Sequence, residues 1–160
     1  MLNKVSKGFT IIELMITVVV LSVLAALAAP SFLSIIEKRR LVGATDNLAS
    51  LLQYARSEAI KQNQTIMLQF NAGSWCVGID DLGADCDCTN PTSCTVNTIQ
   101  RVLEGNEYDN VTLAVSGFIG TTINFESRQG LPDDNGVFTL DINGQTKTVT
   151  LNVIGRVKVD

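Results

Sequence analysis

The chain has 160 residues, a formal net charge of −4 and no histidine. This length allows one long helix and one modest domain, and the acidic balance excludes a global basic surface for nucleic acid. Histidine is the commonest general base and metal ligand, no nucleophile has an evident activating partner and no glycine-rich phosphate loop occurs, so the sequence predicts neither an enzyme nor a cofactor.

The N-terminal segment joins a short basic leader to a long apolar run. Lys4 and Lys7 precede Gly8, and Glu13 is the only charge between Phe9 and Ala29. The run has the length of a membrane span, which takes about 20 residues. A carboxylate at that depth costs roughly 2.5–3.5 kcal/mol on insertion scales, so we expect Glu13 to have a role.

Two ordinary interpretations compete for this segment. One is a plain transmembrane anchor. The other is a secretory signal peptide with Leu14 to Leu24 as its apolar core and Ala26-Leu27-Ala28 as its cleavage site. Against the signal peptide, Glu13 would lie at the edge of the core, and a removable peptide has no need of the run Phe-Thr-Ile-Ile-Glu-Leu.

The run Lys-Gly-Phe-Thr-Ile-Ile-Glu-Leu resembles the class III signal and N-terminal helix of type IV pilins and type II secretion pseudopilins. Five positions match that family: Gly8, Phe9, Thr10, Glu13 and Leu14. The resemblance implies that a prepilin peptidase cleaves between Gly8 and Phe9 and methylates the new amine. It also implies that Glu13 pairs with the N-terminal amine of an adjacent subunit, which offsets the cost of burying its charge.

One long helix is predicted from Phe9 to about Lys61. Its first part is apolar on all sides, and Pro30 is expected to kink it because proline removes the hydrogen bond to the Ala26 carbonyl. Beyond Pro30 apolar residues recur at three- and four-residue steps, which predicts a face packed on a sheet. The stripe comprises Leu41, Ala44, Leu48, Leu51, Leu52, Ala55 and Ala59.

Everything after Thr65 is predicted to be β structure. The candidate strands are Thr65–Asn71, Ser74–Asp80, Val96–Glu104, Val111–Ser116, Thr121–Glu126, Gly136–Ile142 and Gln145–Val153. Ala72-Gly73 can close the first pair into a hairpin. Asn143-Gly144 is the strongest turn signal, and a type I′ turn there places Phe138 opposite Val149.

These elements predict an α+β fold in which a long N-terminal helix packs on an antiparallel β domain, as in pilins. The predicted organisation is a leader over 1–8 and a transmembrane and filament-core helix over 9–30. A periplasmic globular domain follows over 31–160, helical to about residue 63 and β beyond it.

Four cysteines lie within 19 residues: Cys76, Cys86, Cys88 and Cys94. A Cys₄ zinc site usually has paired C-x-x-C arms, which are missing here. The N-terminal signal sends the domain out of the cytoplasm, where disulfides persist, so two disulfides are predicted. Three pairings are possible. We expect Cys76–Cys86 with Cys88–Cys94, and least expect a Cys86–Cys88 bond, for geometric reasons.

The cysteine loop between Asp80 and Thr95 also carries acidic residues: Asp80, Asp81, Asp85 and Asp87. Calcium is conceivable because clustered carboxylates supply hard oxygen ligands. Their spacing does not fit an EF-hand loop, so solvated turn acids and no metal are expected.

The C-terminus and the Trp-Cys-Val-Gly strand, Trp75 to Gly78, resemble the FimT/FimU minor pilins and the H-type pseudopilins. Some members of that group bind DNA through a C-terminal Gly-Arg-x-Arg motif. Here Arg156 is kept, but Lys158 replaces the second arginine and lacks its planar fork, and Asp160 weakens the local positive field. A terminal strand with Arg156 and Lys158 outward and Val157 inward is favoured over DNA contact.

The resemblance implies a structural minor pilin of a type IV pilus that primes or joins the filament near its tip. The protein would be held in the inner membrane with a periplasmic domain, and would be extracellular in the assembled pilus. Its expected partners are other major and minor pilins, the prepilin peptidase and the inner membrane. The alternatives are a DNA-binding minor pilin for natural transformation and a type II secretion pseudopilin.

Overall fold

The structure, a computed structural model, describes residues 8–83, 86–90 and 92–160, and describes residues 27–31 by their backbone alone. The chain divides into two units, Met1–Glu37 and Lys38–Asp160. The predicted leader, apart from Gly8, lies outside the described residues.

Helix α1 runs over Ile11–Gln62, so the prediction of one long helix is confirmed. It begins after Thr10, whose hydroxyl accepts a hydrogen bond from the Glu13 amide at 3.3 Å. A threonine followed three residues later by glutamate is the capping-box sequence of a helix start. The expected kink at Pro30 stays a prediction. Among the described residues, no helix meets the length and hydropathy that a membrane crossing requires.

The apolar stripe of α1 beyond Lys38 forms one side of the core, as predicted. Leu48, Leu52 and Ala55 are fully buried, and Leu51 is half-buried. They share one cluster with inward strand residues such as Leu68 and Phe138. Burial of such side chains supplies about 25 cal/mol per Å² of apolar surface, which is the main force holding α1 to the sheets.

Ten strands follow the helix in the described part of the chain, all paired antiparallel. They are β1 Ile66–Asn71, β2 Cys76–Asp80, β3 Thr95–Val96, β4 Ile99–Gln100, β5 Val102–Glu104, β6 Thr112–Ser116, β7 Thr122–Phe125, β8 Gly136–Ile142, β9 Gln145–Leu151 and β10 Val157–Val159. One sheet has the order β5-β2-β1-β7 and the other β10-β9-β8-β6, and β3 and β4 form a separate ribbon. A short 3₁₀ turn, Gly105–Glu107, follows β5.

The β8–β9 hairpin has the predicted register. Ile142 lies opposite Gln145, and Phe138 lies opposite Val149. Asn143 and Gly144 have φ values of 51° and 81°, the positive values that a type I′ turn demands. The side-chain alternation along this hairpin therefore follows directly from its turn.

The predicted strand Val96–Glu104 is wrong as one element, because three short strands occupy it. Asn97 and Thr98 both have positive φ, at 52° and 64°, and turn the chain between β3 and β4. The Asp81 carboxylate fixes this turn by accepting the Asn97 amide at 2.7 Å. Asparagine tolerates this backbone region, but no glycine marks the turn in the sequence.

Two disulfides close the cysteine loop, but their expected pairing is wrong. The bonds are Cys76–Cys88 and Cys86–Cys94. Cys76 and Gly78 lie on one face of β2 because they are two residues apart. Gly78 leaves room for the second bond, since a Cβ there would lie 2.4 Å from Cys94 Sγ and 3.1 Å from Cys86 Sγ.

The loop then returns Cys88 to the first sheet. The Cys88 amide donates to Gln69 Oε1 on β1 at 3.0 Å, which anchors Cys88 to that sheet. The spacing of the cysteines carries no information about this tertiary contact. The prediction that cysteines close in sequence would pair was therefore wrong.

The acids of this loop are not all solvated. Asp80 is buried and accepts the amides of Leu82 and Thr95 at 2.9 and 3.2 Å, which replaces the water it would otherwise bind. The expectation of solvated turn acids is therefore wrong for Asp80, and likewise for buried Asp81. Asp85 lies outside the described residues.

Asp87 is exposed and behaves as a turn acid. Its Oδ1 accepts the hydroxyl and the amide of Thr89 at 2.7 and 2.9 Å. These two hydrogen bonds, the hydroxyl first, lower the pKa of Asp87 against a weaker opposing effect of burial.

Candidate functional site

The processing and assembly residues lie at the very start of α1. Gly8 and Phe9 precede the helix, and Phe9 is 77% exposed. Glu13 lies in the first helical turn, where the helix dipole favours a negative charge. It is exposed, and among the described residues no cation forms an ion pair with it. Its carboxylate is therefore available to a group from another molecule.

Apolar side chains dominate the helix from Ile11 to Leu24, and none of them is covered. The large apolar residues of this segment are 52–82% exposed. Its two other polar side chains are satisfied internally: Thr17 Oγ1 donates to the Leu14 carbonyl at 2.8 Å, and Ser22 Oγ donates to the Val19 carbonyl at 2.7 Å. A segment of this kind is suited to an apolar environment, with Glu13 as its single charged side chain.

The C-terminal Gly-Arg pair is built into a turn that packs on the helix. Gly155 has φ +70°, and its carbonyl accepts a hydrogen bond from Arg56 Nη1 at 2.7 Å. A Cβ at Gly155 would lie 3.0 Å from the Gly130 carbonyl oxygen and 3.1 Å from Arg56 Nε. Close packing and a left-handed backbone conformation thus both require glycine at this position of the motif.

The predicted terminal strand is β10; of the two candidate DNA contacts, Lys158 lies on it and Arg156 directly precedes it. Arg156 and Lys158 are exposed, and Val157 is half-buried against the core. Lys158 Nζ pairs with Asp160 Oδ1 at 2.8 Å, so one of the two cations is already neutralised locally. The two cations of this edge therefore do not form a basic stripe.

Glu58 is a buried carboxylate that was not predicted from the sequence. It is 4% exposed on α1 and accepts hydrogen bonds from Gln62 at 2.8 Å, Lys61 at 2.9 Å and Asn97 at 3.4 Å. The Gln62 bond, followed by Lys61, lowers the pKa of Glu58 although burial opposes the shift. Lys61 and Gln62 follow Glu58 by three and four residues on the same helix, and this spacing was the signal in the sequence that they could contact its carboxylate.

Metal binding has no support in the described part of the chain. No cluster of three or more cysteine, aspartate or glutamate side chains is placed there to hold an ion. The four cysteines are consumed in disulfides, so the alternative of a Cys₄ zinc site is excluded.

Two family models match the chain. Residues 44–155 match the model described as Type II transport protein GspH. Residues 3–29 match the prokaryotic N-terminal methylation motif. The second match covers Gly8, Phe9 and Glu13, the residues that carry the sequence resemblance.

Solved structures share the fold. The type IV minor pilin FimU of Pseudomonas aeruginosa strain PAO1 superposes with a TM-score of 0.59 at 20% identity, covering 78% of this chain and 90% of that one. The minor pseudopilin EpsH of the Vibrio cholerae type 2 secretion system gives a TM-score of 0.58 at 14% identity, covering 75% of this chain and 95% of that one. At these identities the likeness establishes the pilin-like α+β fold.

Proposed function

The chain belongs to the GspH family of type II transport proteins, and we propose that it is a minor pilin of a type IV pilus that joins the filament near its tip. Membership of this family makes it a pilin or pseudopilin, a structural subunit that assembles with other pilins. The position in the filament and the choice of pilus are the proposed part.

One observation carries the proposal. The segment that matches the N-terminal methylation motif includes the start of α1, and every residue from Gly8 to Ala26 is exposed in the single chain. Exposed apolar surface of this extent marks a site of contact with a membrane or with other proteins. Packing between equivalent helices of neighbouring subunits would cover it in a filament.

Processing follows from the same motif. We propose cleavage between Gly8 and Phe9 by a prepilin peptidase, with methylation of the new amine. The segment from Phe9 to Ala29 would then hold the subunit in the inner membrane, with its globular part in the periplasm, until assembly. Cleavage also removes Lys4 and Lys7, which leaves ten cationic against sixteen acidic side chains, a net of −6.

Glu13 is proposed to pair with the N-terminal amine of an adjacent subunit. Its exposed carboxylate has no cationic partner among the described residues. Removal of such a charge from an apolar surface would help simple insertion but would leave the neighbouring amine without its counter-charge. The role assigned to Glu13 is therefore assembly and not anchoring.

A type II secretion pseudopilin is the second candidate. The description of the matching family and the likeness to EpsH favour it. DNA uptake is less well supported, because Lys158 is paired with Asp160 and the chain is acidic as a whole.

Intact-mass analysis of the membrane-extracted protein tests the proposal. We expect a chain that begins at Phe9 and carries one additional methyl group on its amine. A chain that begins at Ala29, the product of ordinary signal peptidase, would contradict it, and so would a chain that retains its leader. Recovery of the processed chain in sheared pili, and not with the type II secretion machinery, would separate the two candidates.

A further inference from the structure

A groove runs between α1 and the stretch of chain from the end of β4 into β5. Ser50, Leu51 and Tyr54 form its helical wall. Gln100, Arg101 and Val102 form much of the opposite wall. All of these residues belong to the unit Lys38–Asp160.

Arg101 is held firmly in this groove. Its amide donates to the Cys94 carbonyl at 2.9 Å, and its carbonyl accepts the Ile79 amide at 3.0 Å. The guanidinium carbon lies 5.0 Å from the centre of the Tyr54 ring, a cation–π arrangement. The backbone is thus fixed before any partner arrives, and the Tyr54 ring favours one placement of the side chain, which lowers the entropy lost on binding.

The guanidinium of Arg101 is nonetheless unpaired within the described part of the chain. Its Nε lies out of solvent without a hydrogen-bond acceptor there, and no carboxylate lies within ion-pair distance of it there. Two other arginines contrast with it, since Arg40 pairs with Asp109 at 3.1 Å and Arg56 donates to Gly155. Proteins normally satisfy a donor that is shielded from water, so the surroundings of Nε are incomplete in the single chain. Because Nε itself is shielded, a carboxylate from another molecule would bind at the terminal nitrogens of the guanidinium, which form no ion pair among the described residues.

The chemistry of the groove selects that acceptor. Among the described residues that line it, Arg101 alone is charged, and the neutral polar groups, Ser50 and Gln100 among them, can also donate hydrogen bonds. Leu51, Val102 and the Tyr54 ring provide apolar surface beside the cation. A planar guanidinium can bind a carboxylate through two parallel hydrogen bonds. Arginine and tyrosine are also enriched among the residues that contribute most to the binding energy of protein interfaces.

We propose that this groove receives an aspartate or glutamate side chain, flanked by an apolar residue, from another pilin-family subunit of the same filament. The proposal rests on the proposed function, because the filament supplies the partner. It assigns to Arg101 a contact between globular parts, separate from the contact assigned to Glu13.

Site-specific photo-crosslinking in the full chain tests this contact. A benzophenone amino acid replaces Gln100, which is exposed beside Arg101, in the host that makes the filament. Irradiation should join the chain to a second pilin-family subunit, within a peptide that contains aspartate or glutamate. The same probe at exposed Thr112, on the other sheet, should give no such adduct.

Charge variants then test Arg101 itself. Arg101→Glu should lower the adduct yield at least about tenfold, because it replaces an attraction between charges with a repulsion. Arg101→Lys, which keeps the charge, should retain most of the adduct. Arg128→Glu, the same change at an exposed arginine in the loop before β8, should leave the yield unchanged.

A charge swap keeps the test valid if Arg101→Glu weakens the fold. Replacing the mapped acid of the partner with arginine should restore crosslinking to the Arg101→Glu chain. Unchanged yield in Arg101→Glu, attachment to a peptide without an acid, or an adduct with a second copy of this chain alone would overturn the inference.

Recovery of the wild-type chain in sheared filaments shows whether a negative crosslinking result contradicts only the Arg101 contact or also the proposed function. If the wild-type chain is found in sheared filaments and the probe at Gln100 still captures no pilin-family subunit, the inference is wrong and the function stands. If the wild-type chain is absent from every filament, both are wrong.

Discussion

The two units of this chain use similar apolar residues in opposite ways. In Met1–Glu37 the described side chains from Gly8 to Ala26 are exposed, and hydroxyl groups are satisfied by carbonyls of their own helix. In Lys38–Asp160 leucine and alanine of the same helix are buried against two sheets. The second unit contains its own core, whereas the described apolar side chains of the first unit are left exposed in the single chain.

Matched leucine truncations should give the largest separation between the units. Leu52→Ala removes a fully buried side chain and should lower the free energy of unfolding by about 2–5 kcal/mol. Leu24→Ala makes the same change where the side chain is 57% exposed and should leave the stability of the globular unit nearly unchanged. Denaturant unfolding of the detergent-solubilised full chain measures both.

Filament recovery should distinguish the two leucine variants further. Leu24→Ala should reduce recovery in sheared filaments although the chain stays folded, because it removes packing between subunits. Equal loss of stability in the two variants would instead show that the first unit contributes to the core of the second.

Disulfide removal should have the next largest effect and should act on the second unit alone. Replacing Cys76 and Cys88 with alanine opens a loop closed over a sequence separation of 12 residues, and the same change at Cys86 and Cys94 opens one of 8. Loop-closure entropy predicts losses of about 2–3 kcal/mol each, the first slightly larger.

Non-reducing peptide mapping checks the pairing directly. We expect peptides that join Cys76 to Cys88 and Cys86 to Cys94, without a free thiol. Recovery of Cys76 joined to Cys86 would restore the pairing expected from sequence and contradict the structure.

The sequence predicted those parts of the fold that depend on local pattern. Periodicity located the helix and its buried stripe, and Asn143-Gly144 determined the register of β8 and β9 because its turn allows one register. The family resemblance that Gly8, Phe9 and Glu13 carry is confirmed by the methylation-motif model over residues 3–29, and the family model matches residues 44–155.

Features that depend on contacts distant in sequence could not be predicted. The Cys76–Cys88 bond needs Gln69 to anchor the loop and Gly78 to leave space for its neighbour. Asp81 shapes the turn after β3 from 16 residues away. No periodicity or spacing reports such hydrogen bonds, because they form only after the sheets have assembled.

Stability at acid pH should show a moderate effect from Glu58. Its pKa is lowered below the ordinary value of 4.5, chiefly by Gln62 and Lys61. A carboxyl whose folded pKa is lowered adds stability above its unfolded pKa and loses it as the pH falls through the folded value. The melting temperature of the wild type should therefore fall more steeply below about pH 4.5 than that of Glu58→Gln.

Glu107→Gln, a matched change at an exposed glutamate, supplies the control for this titration. It should follow the wild-type curve. If Glu58→Gln also keeps the wild-type slope below pH 4.5, the hydrogen bonds to Glu58 do not favour its charged form.

The smallest effect is expected at the C-terminus. Changing Arg156 and Lys158 together to glutamine should leave the melting temperature nearly unchanged, because both are exposed and the Lys158–Asp160 pair is a surface pair. The full chain should bind little DNA at physiological salt before or after the change. Each true phosphate contact would lower the salt slope by about one when removed.

Tight DNA binding by the wild type that disappears in this double variant would promote DNA uptake above the structural role. Weak DNA binding that is equal in the wild type and the double variant would agree with a terminal strand whose role is structural.

The assignment of the first unit to assembly is tested most sharply by the share of Glu13→Ala protein recovered in sheared filaments, measured beside its melting temperature. We expect a large loss from the filament fraction, normal or improved membrane insertion and an unchanged melting temperature, while Glu107→Ala behaves as wild type. Normal filament recovery of Glu13→Ala would contradict that assignment.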